Sequence, residues 1–210
     1  MNKRWIIFGI IFTMLFSTIY FTAAQTPSQV GDAYNKLAGF LTYVDPPYPA
    51  NGWNVTAYPS GQIQDLRFKT YDYLYYESKV PDGLIQKPSK GWVVKYSELK
   101  SLYKNILPKI GLNPQQTQDF ISYWDKALKD DSPYYFVGIM NQDNVNEIEP
   151  LAILPKPDSI NRVRVYFERL DTFKEVEAPE ISKPIMNGFK VVEWGGMVKN
   201  DLNHPFTCSQ

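Results

Sequence analysis

Two hydrophobic periods divide the chain. Trp53, Val55 and Ala57 alternate with Asn54, Thr56 and Tyr58, a period of two that predicts a strand with one apolar face. Pro59-Ser60-Gly61 reads as a turn, and Gln62-Ile63-Gln64 starts the return strand. A longer, tyrosine-rich strand is predicted over 68–78, closed by the turn Pro81-Asp82-Gly83, with another strand over 91–95. The period then becomes helical. Leu99, Leu102, Tyr103, Ile106, Leu107 and Ile110 form one stripe, with Ser97 placed to cap its start, Gly111 to end it and Pro108 to bend the last turn. Asn113 caps a second helix, with Pro114 at its first position and Gln116 completing a capping box. Phe120, Ile121, Trp124 and Leu128 are its stripe. Residues 97–129 are therefore expected to form a helical hairpin.

Strands resume at 134–140, apolar on both faces and so expected to be central, and at 151–154. Over 162–170, Val163, Val165 and Phe167 alternate with Arg164, Tyr166 and Glu168; 189–194 is the last strand, ended by Gly195-Gly196. Strands, hairpin, strands is the order of an α+β fold. It predicts an antiparallel β-sheet or β-sandwich with the hairpin against one face.

The N-terminus has a different character. Lys3 and Arg4 precede an uncharged apolar run from Trp5 to Phe21, and Thr22-Ala23-Ala24 is a small-residue exit. Residues 1–24 thus read as a signal peptide, with Gln25 as the first mature residue. The competing reading is an uncleaved anchor. The run of 17 residues lies at the lower edge of the roughly 17–25 that span a bilayer. Either way the rest of the chain is exported. Residues 25–51 form a Pro-rich lead-in with a short helix in 27–41, 52–199 a single domain and 200–210 a tail.

Composition narrows the partners. Without Lys3 and Arg4, 22 basic residues against 22 acidic ones become a formal charge of −2. No basic patch argues for nucleic acid or for an anionic membrane, and a membrane partner is expected only if the N-terminal run is retained. The lone Cys208 permits no internal disulfide and is read as inert or intermolecular; the lone His204, near the chain end, is not placed for a catalytic relay. No Cys/His metal set, phosphate loop or dinucleotide fingerprint is present, so no cofactor and no metal are assigned. The oxygen-rich stretch 141–149 lacks the spacing of a calcium loop and reads as solvated. Asn54-Val55-Thr56 is the only glycosylation sequon.

Several groups of residues resemble a family of uncharacterised exported prokaryotic proteins. They are Gly52-Trp53 through Tyr58-Pro59, Tyr73-Leu74-Tyr75-Tyr76-Glu77, Gly91-Trp92-Val93-Val94, Asp119 to Trp124, Pro155-Lys156-Pro157-Asp158 and Val191 to Gly196. The resemblance implies export and a prokaryotic host, which lowers the weight of the sequon. It implies no activity and no site residue.

Three functions fit. The first is a non-enzymatic extracytoplasmic binding module for cell-surface glycan or envelope protein. Aromatic content is 15%, and Tyr58, Tyr76 and Trp194 fall opposite the apolar rows, where rings that meet water bind ligands. A hairpin laid over the same face would instead make them core. The second is a carboxylate-dependent polysaccharide hydrolase, with Glu77 and Glu193 each ending an apolar or aromatic row. The third is a structural envelope protein anchored by its N-terminus.

Overall fold

The computed structural model describes residues 3–13, 17–23, 40–47 and 52–199. The short helix expected in 27–41, residues 24 and 25 at the expected cleavage point, His204 and Cys208 lie outside them, Leu41 and Phe40 excepted. Among the described residues the fold is α+β, as the pattern predicts. Its strands are β1 (Lys3–Thr13), β2 (Ser17–Ala23), β3 (Phe40–Asp45), β4 (Trp53–Ala57), β5 (Ile63–Asp65), β6 (Thr70–Tyr71), β7 (Leu74–Pro81), β8 (Trp92–Val94), β9 (Tyr134–Ile139), β10 (Leu151–Leu154), β11 (Ser159–Leu170) and β12 (Lys190–Val198). Its helices are α1 (Tyr96–Ile106), α2 (Pro114–Ala127) and α3 (Gln142–Ile148). One sheet has the order β3-β7-β1-β12-β11-β9-β8 and the other β10-β2-β4-β5-β6.

Three layers result. The hairpin of α1 and α2 covers one face of the large sheet, burying Leu99, Tyr103, Phe120, Ile121 and Trp124 against Val163, Val165, Phe167 and Trp194. The small sheet covers the other face, with Trp53, Val55, Ala57 and Ile63 packed towards Leu74, Tyr76, Tyr166 and Val191. Alternation along each strand sends successive side chains into the two layers. The large sheet is therefore buried on both sides over much of its area.

Local signals explain the hairpin. Asn113 Oδ1 accepts from Gln116 N at 2.8 Å and Gln116 Oε1 from Asn113 N at 2.7 Å, the reciprocal box expected. Gly111 closes the 3-10 turn Pro108–Ile110 at φ 99°, a left-handed position that glycine adopts without cost. The start of α1 differs from the expectation. Lys95, not Ser97, is the capping residue, because the Glu98 carboxylate reaches back to Lys95 N at 2.8 Å.

Other boundaries also move. The strand expected over 68–78 is split into β6 and β7, with Phe68 at φ 65° in a turn. The sheets are not wholly antiparallel, since β11 and β12 pair in parallel. Parallel neighbours require a crossover. Residues 171–189 supply it without helix or strand, tied by Gly91 N to Glu177 O at 2.9 Å. The stretch 141–149 is no open loop. It forms α3, capped by Asn141 and burying Asn144, Val145, Ile148 and Glu149, because two apolar residues at helical spacing have a core to meet. Most of the segment expected as a signal peptide is paired here: β1 lies between β7 and β12, and β2 between β4 and β10.

Gly195-Gly196 does not end the last strand. β12 runs through it to Val198, and Gly196 lies directly beneath Trp124. A Cβ on Gly196 would stand 2.4 Å from Trp124 Cζ2 and 2.6 Å from Phe167 Cε2. Trp124, 1% exposed, also packs on Phe167 with ring centroids 4.7 Å apart. Trp124→Ala should cost about 3–5 kcal/mol by emptying this site. Gly196→Ala should cost about 1–3 kcal/mol by overfilling it. Chemical denaturation checks both, and the double variant should lose less than the two losses added, since the smaller residue at 124 admits the new methyl.

Candidate functional site

The five sequence candidates do not form one site; of them, Tyr76 and Glu193 meet through a hydrogen bond. Trp194 is 8% exposed and Tyr76 4%, so the expectation that they meet solvent is corrected for both. The reason is coverage from both sides. Trp194 lies under the hairpin, 6.0 Å from the Phe120 ring and 5.6 Å from that of Tyr73. Tyr76 lies between the sheets and donates its hydroxyl to Glu193. Tyr58 alone of the three is half-buried. Glu77, one position beyond Tyr76, projects from the opposite face of β7, where it accepts from the Tyr75 hydroxyl at 2.8 Å. Glu77 and Glu193 are thus on opposite faces of the large sheet and do not flank a common substrate space. Both are buried, at 8% and 0%.

Between the sheets, Glu193 belongs to a charge cluster. Arg162 Nε and Nη2 both donate to its carboxylate, the second at 3.2 Å, and Arg164 Nη2 donates to it at 3.2 Å. The same Arg164 nitrogen donates to Glu149 Oε2 at 2.9 Å, and Ser78 Oγ donates to Glu149 Oε1. Arg162 Nη1 reaches Asn146 Oδ1 at 2.9 Å. Two guanidiniums and two carboxylates therefore join β7, β11, β12 and α3 beneath the small sheet. Burial alone would raise the Glu193 carboxyl, but the two arginines outweigh it and hold it at about 2. Burial raises Glu149 to about 7, with the Glu193 charge adding to the rise and Arg164 opposing it. A pair of carboxyls held apart in this way is a pattern of acid–base sites. With Arg164 and Glu193 fully buried, however, the pair has no face open to a substrate.

Alternation places Arg164 on the polar side of its strand, but that side is buried. The sequence carries a signal for this: two arginines at alternate positions of β11, and an acid closing the apolar row of β12. Opposite charges on two strands of one sheet are candidates for pairing.

The open surface of the small sheet differs. Asn54 and Thr56 of β4 point away from the core and are half-buried. Gln64 pairs with Thr56, and Thr70 pairs with Gln64, so Thr70, Gln64 and Thr56 form a row across three strands at about 4.8 Å spacing. Tyr58 continues the outward side of β4, and its hydroxyl donates to Gln64 Oε1 at 2.8 Å. The row carries hydroxyls, the Gln64 amide and one aromatic ring, with no charge. An open groove of about 600 Å³ lies between β8, α1 and Phe173 and is lined by Val93, Val94, Leu102 and Glu98. Among the described residues no group of three or more His, Cys, Asp or Glu is disposed to hold a metal ion, and no helix is long and apolar enough to cross a membrane.

Compared with models of protein families, with curated proteins and with solved structures, the chain matches none.

The cluster predicts an unusual pH profile of stability. Glu193, depressed from the ordinary 4.5, contributes stability present above pH 4.5 that is lost as pH falls towards 2. Glu149, raised from 4.5, contributes stability present below pH 4.5 that is lost as pH rises through about 7. These two groups place the optimum near pH 4.5, with a fall on the order of 3 kcal/mol towards neutrality. Urea unfolding across this range checks it, and Glu149→Gln should flatten the neutral limb.

Proposed function

We propose that the protein is a non-enzymatic, extracytoplasmic binding module whose ligand is a cell-surface glycan, held on the outward face of the small sheet. The observation that carries the reading is the uncharged row of Thr56, Gln64 and Thr70 beside the half-buried Tyr58. Hydroxyls and an amide in a line match the hydroxyls of an extended sugar chain, and an aromatic ring supplies a flat apolar patch for a sugar face. The placement of Glu77 and Glu193 on opposite faces removes the support for the hydrolase. Binding to an envelope protein through the same face is the other outcome of the test.

Immobilised cell-wall polysaccharides and isolated envelope proteins, each probed with the full chain, test this. Tyr58→Ala should weaken glycan binding by about threefold to tenfold, the worth of one stacked ring, with little change in melting temperature. Equal binding by wild type and Tyr58→Ala on every retained glycan would sink the proposal.

Export rests on the N-terminal pattern of Lys3, Arg4, the apolar run and the small-residue exit. Intact mass of the exported protein is expected to begin at Gln25, and cleavage there would take β1 out of the large sheet and β2 out of the small one. A mass retaining Trp5 to Phe21 would instead favour the anchored envelope protein, with β1 and β2 kept in both sheets.

A further inference from the structure

The turn joining β5 to β6 displays two large apolar side chains to solvent, Leu66 at 71% and Phe68 at 82% exposure. Burying them would be favourable, and among the described residues neither belongs to a core cluster. The turn that presents them is tightly held. Asp65 Oδ1 accepts from the backbone N–H groups of Arg67 and Lys69, both at 2.9 Å, and Asp65 Oδ2 accepts from the Tyr71 hydroxyl at 3.1 Å and from Arg67 Nη2 at 3.0 Å. Backbone bonds from Asp65 N to Lys69 O and from Phe68 N to Asp65 O close the loop. Phe68 sits at φ 65°, an uncommon conformation for a bulky residue that the Asp65 bonds hold in place.

Apolar and cationic residues alternate through the tip as Leu66, Arg67, Phe68, Lys69. Arg67 is paired with Asp65 yet its side chain stays 75% exposed, and Lys69 lies over the Tyr71 ring at 4.9 Å. One positive charge remains in excess. We propose that this turn docks the protein on an anionic lipid surface, with Leu66 and Phe68 entering the interface and Lys69 and Arg67 facing phosphate headgroups. Two protruding side chains offer far less than the roughly 800 Å² per partner of a stable protein interface. They suit a weak, reversible lipid contact, in which apolar burial and headgroup attraction add. The site adjoins the Tyr58 face, since Gln64 Nε2 donates to Phe68 O at 3.4 Å, but the lipid contact does not depend on the glycan reading.

Co-sedimentation of the full chain with phosphatidylcholine vesicles, with and without phosphatidylglycerol, tests it. Binding is expected to the anionic vesicles above the neutral ones. Leu66→Ser with Phe68→Ser should reduce it about tenfold or more, and Lys69→Gln by about fivefold. Melting temperatures should stay near wild type, since the replaced side chains are exposed. Every variant retains the same N-terminal apolar run. Undiminished binding of the double serine variant would therefore assign the membrane contact elsewhere and overturn the proposal, as would equal binding to neutral and anionic vesicles. Absence of vesicle binding, with Leu66 and Phe68 instead required for capture of an envelope protein, would overturn it too.

Discussion

The arrangement depends on the close approach of α2 to β12, where the Trp124 ring lies on Gly196 and Phe167. A side chain at 196 would hold the helix off the sheet. With none, the indole settles against the strand backbone, and Phe120 packs on it and links it to Tyr103 and Trp194. This contact sets the position of the hairpin and so keeps much of one face of the large sheet dry. The aromatic surplus of the chain is spent largely here, in rings packed edge to face or tilted.

The opposite face solves a harder problem. Its middle strands carry Arg162, Arg164 and Glu193, yet the small sheet and α3 close over them. Taking such ions out of water costs several kcal/mol each, recovered only where each charge meets a partner in good geometry. Glu193 meets this demand with two arginines and the Tyr76 hydroxyl. Glu149 ends α3 and binds both Ser78 and Arg164, so the same network that neutralises the arginines also ties the helix to β7 and β11. Apolar residues would hold these layers together with less penalty. A charge network instead allows few alternative registers, because a slip of one residue would strand a buried ion.

With both faces of the large sheet covered, recognition moves to the periphery. The small sheet keeps one open face, polar and uncharged, beside Tyr58, and its β5–β6 turn holds Leu66 and Phe68 clear of the surface. The two surfaces differ in chemistry. One offers a row of hydrogen-bonding groups, the other an apolar wedge with cations. They share a scaffold because the short strands β5 and β6 are held by the long ones behind them.

The sequence by itself determined the elements whose causes are local. Asn113, Pro114 and Gln116 specify the start of α2 within four residues, Gly111 specifies the turn before it, and the alternation of Trp53, Val55 and Ala57 specifies β4. The α+β class follows from their order. Only the tertiary structure decided which faces are wet. Periodicity shows that the two sides of a strand differ, but not what covers each, since the cover comes from residues far along the chain. Tyr76, Trp194, Arg164 and Glu193 were all on sides opposite an apolar row or at its end, and all are buried. Trp194 is covered by a helix some 70 positions earlier, and Glu193 by arginines about 30 positions earlier, from β11. Phe68 falls within the strand expected over 68–78, but the Asp65 bonds bend the chain into a turn that leaves it and Leu66 exposed. Burial is a property of pairs of distant segments, and a single strand's pattern records only one member of each pair.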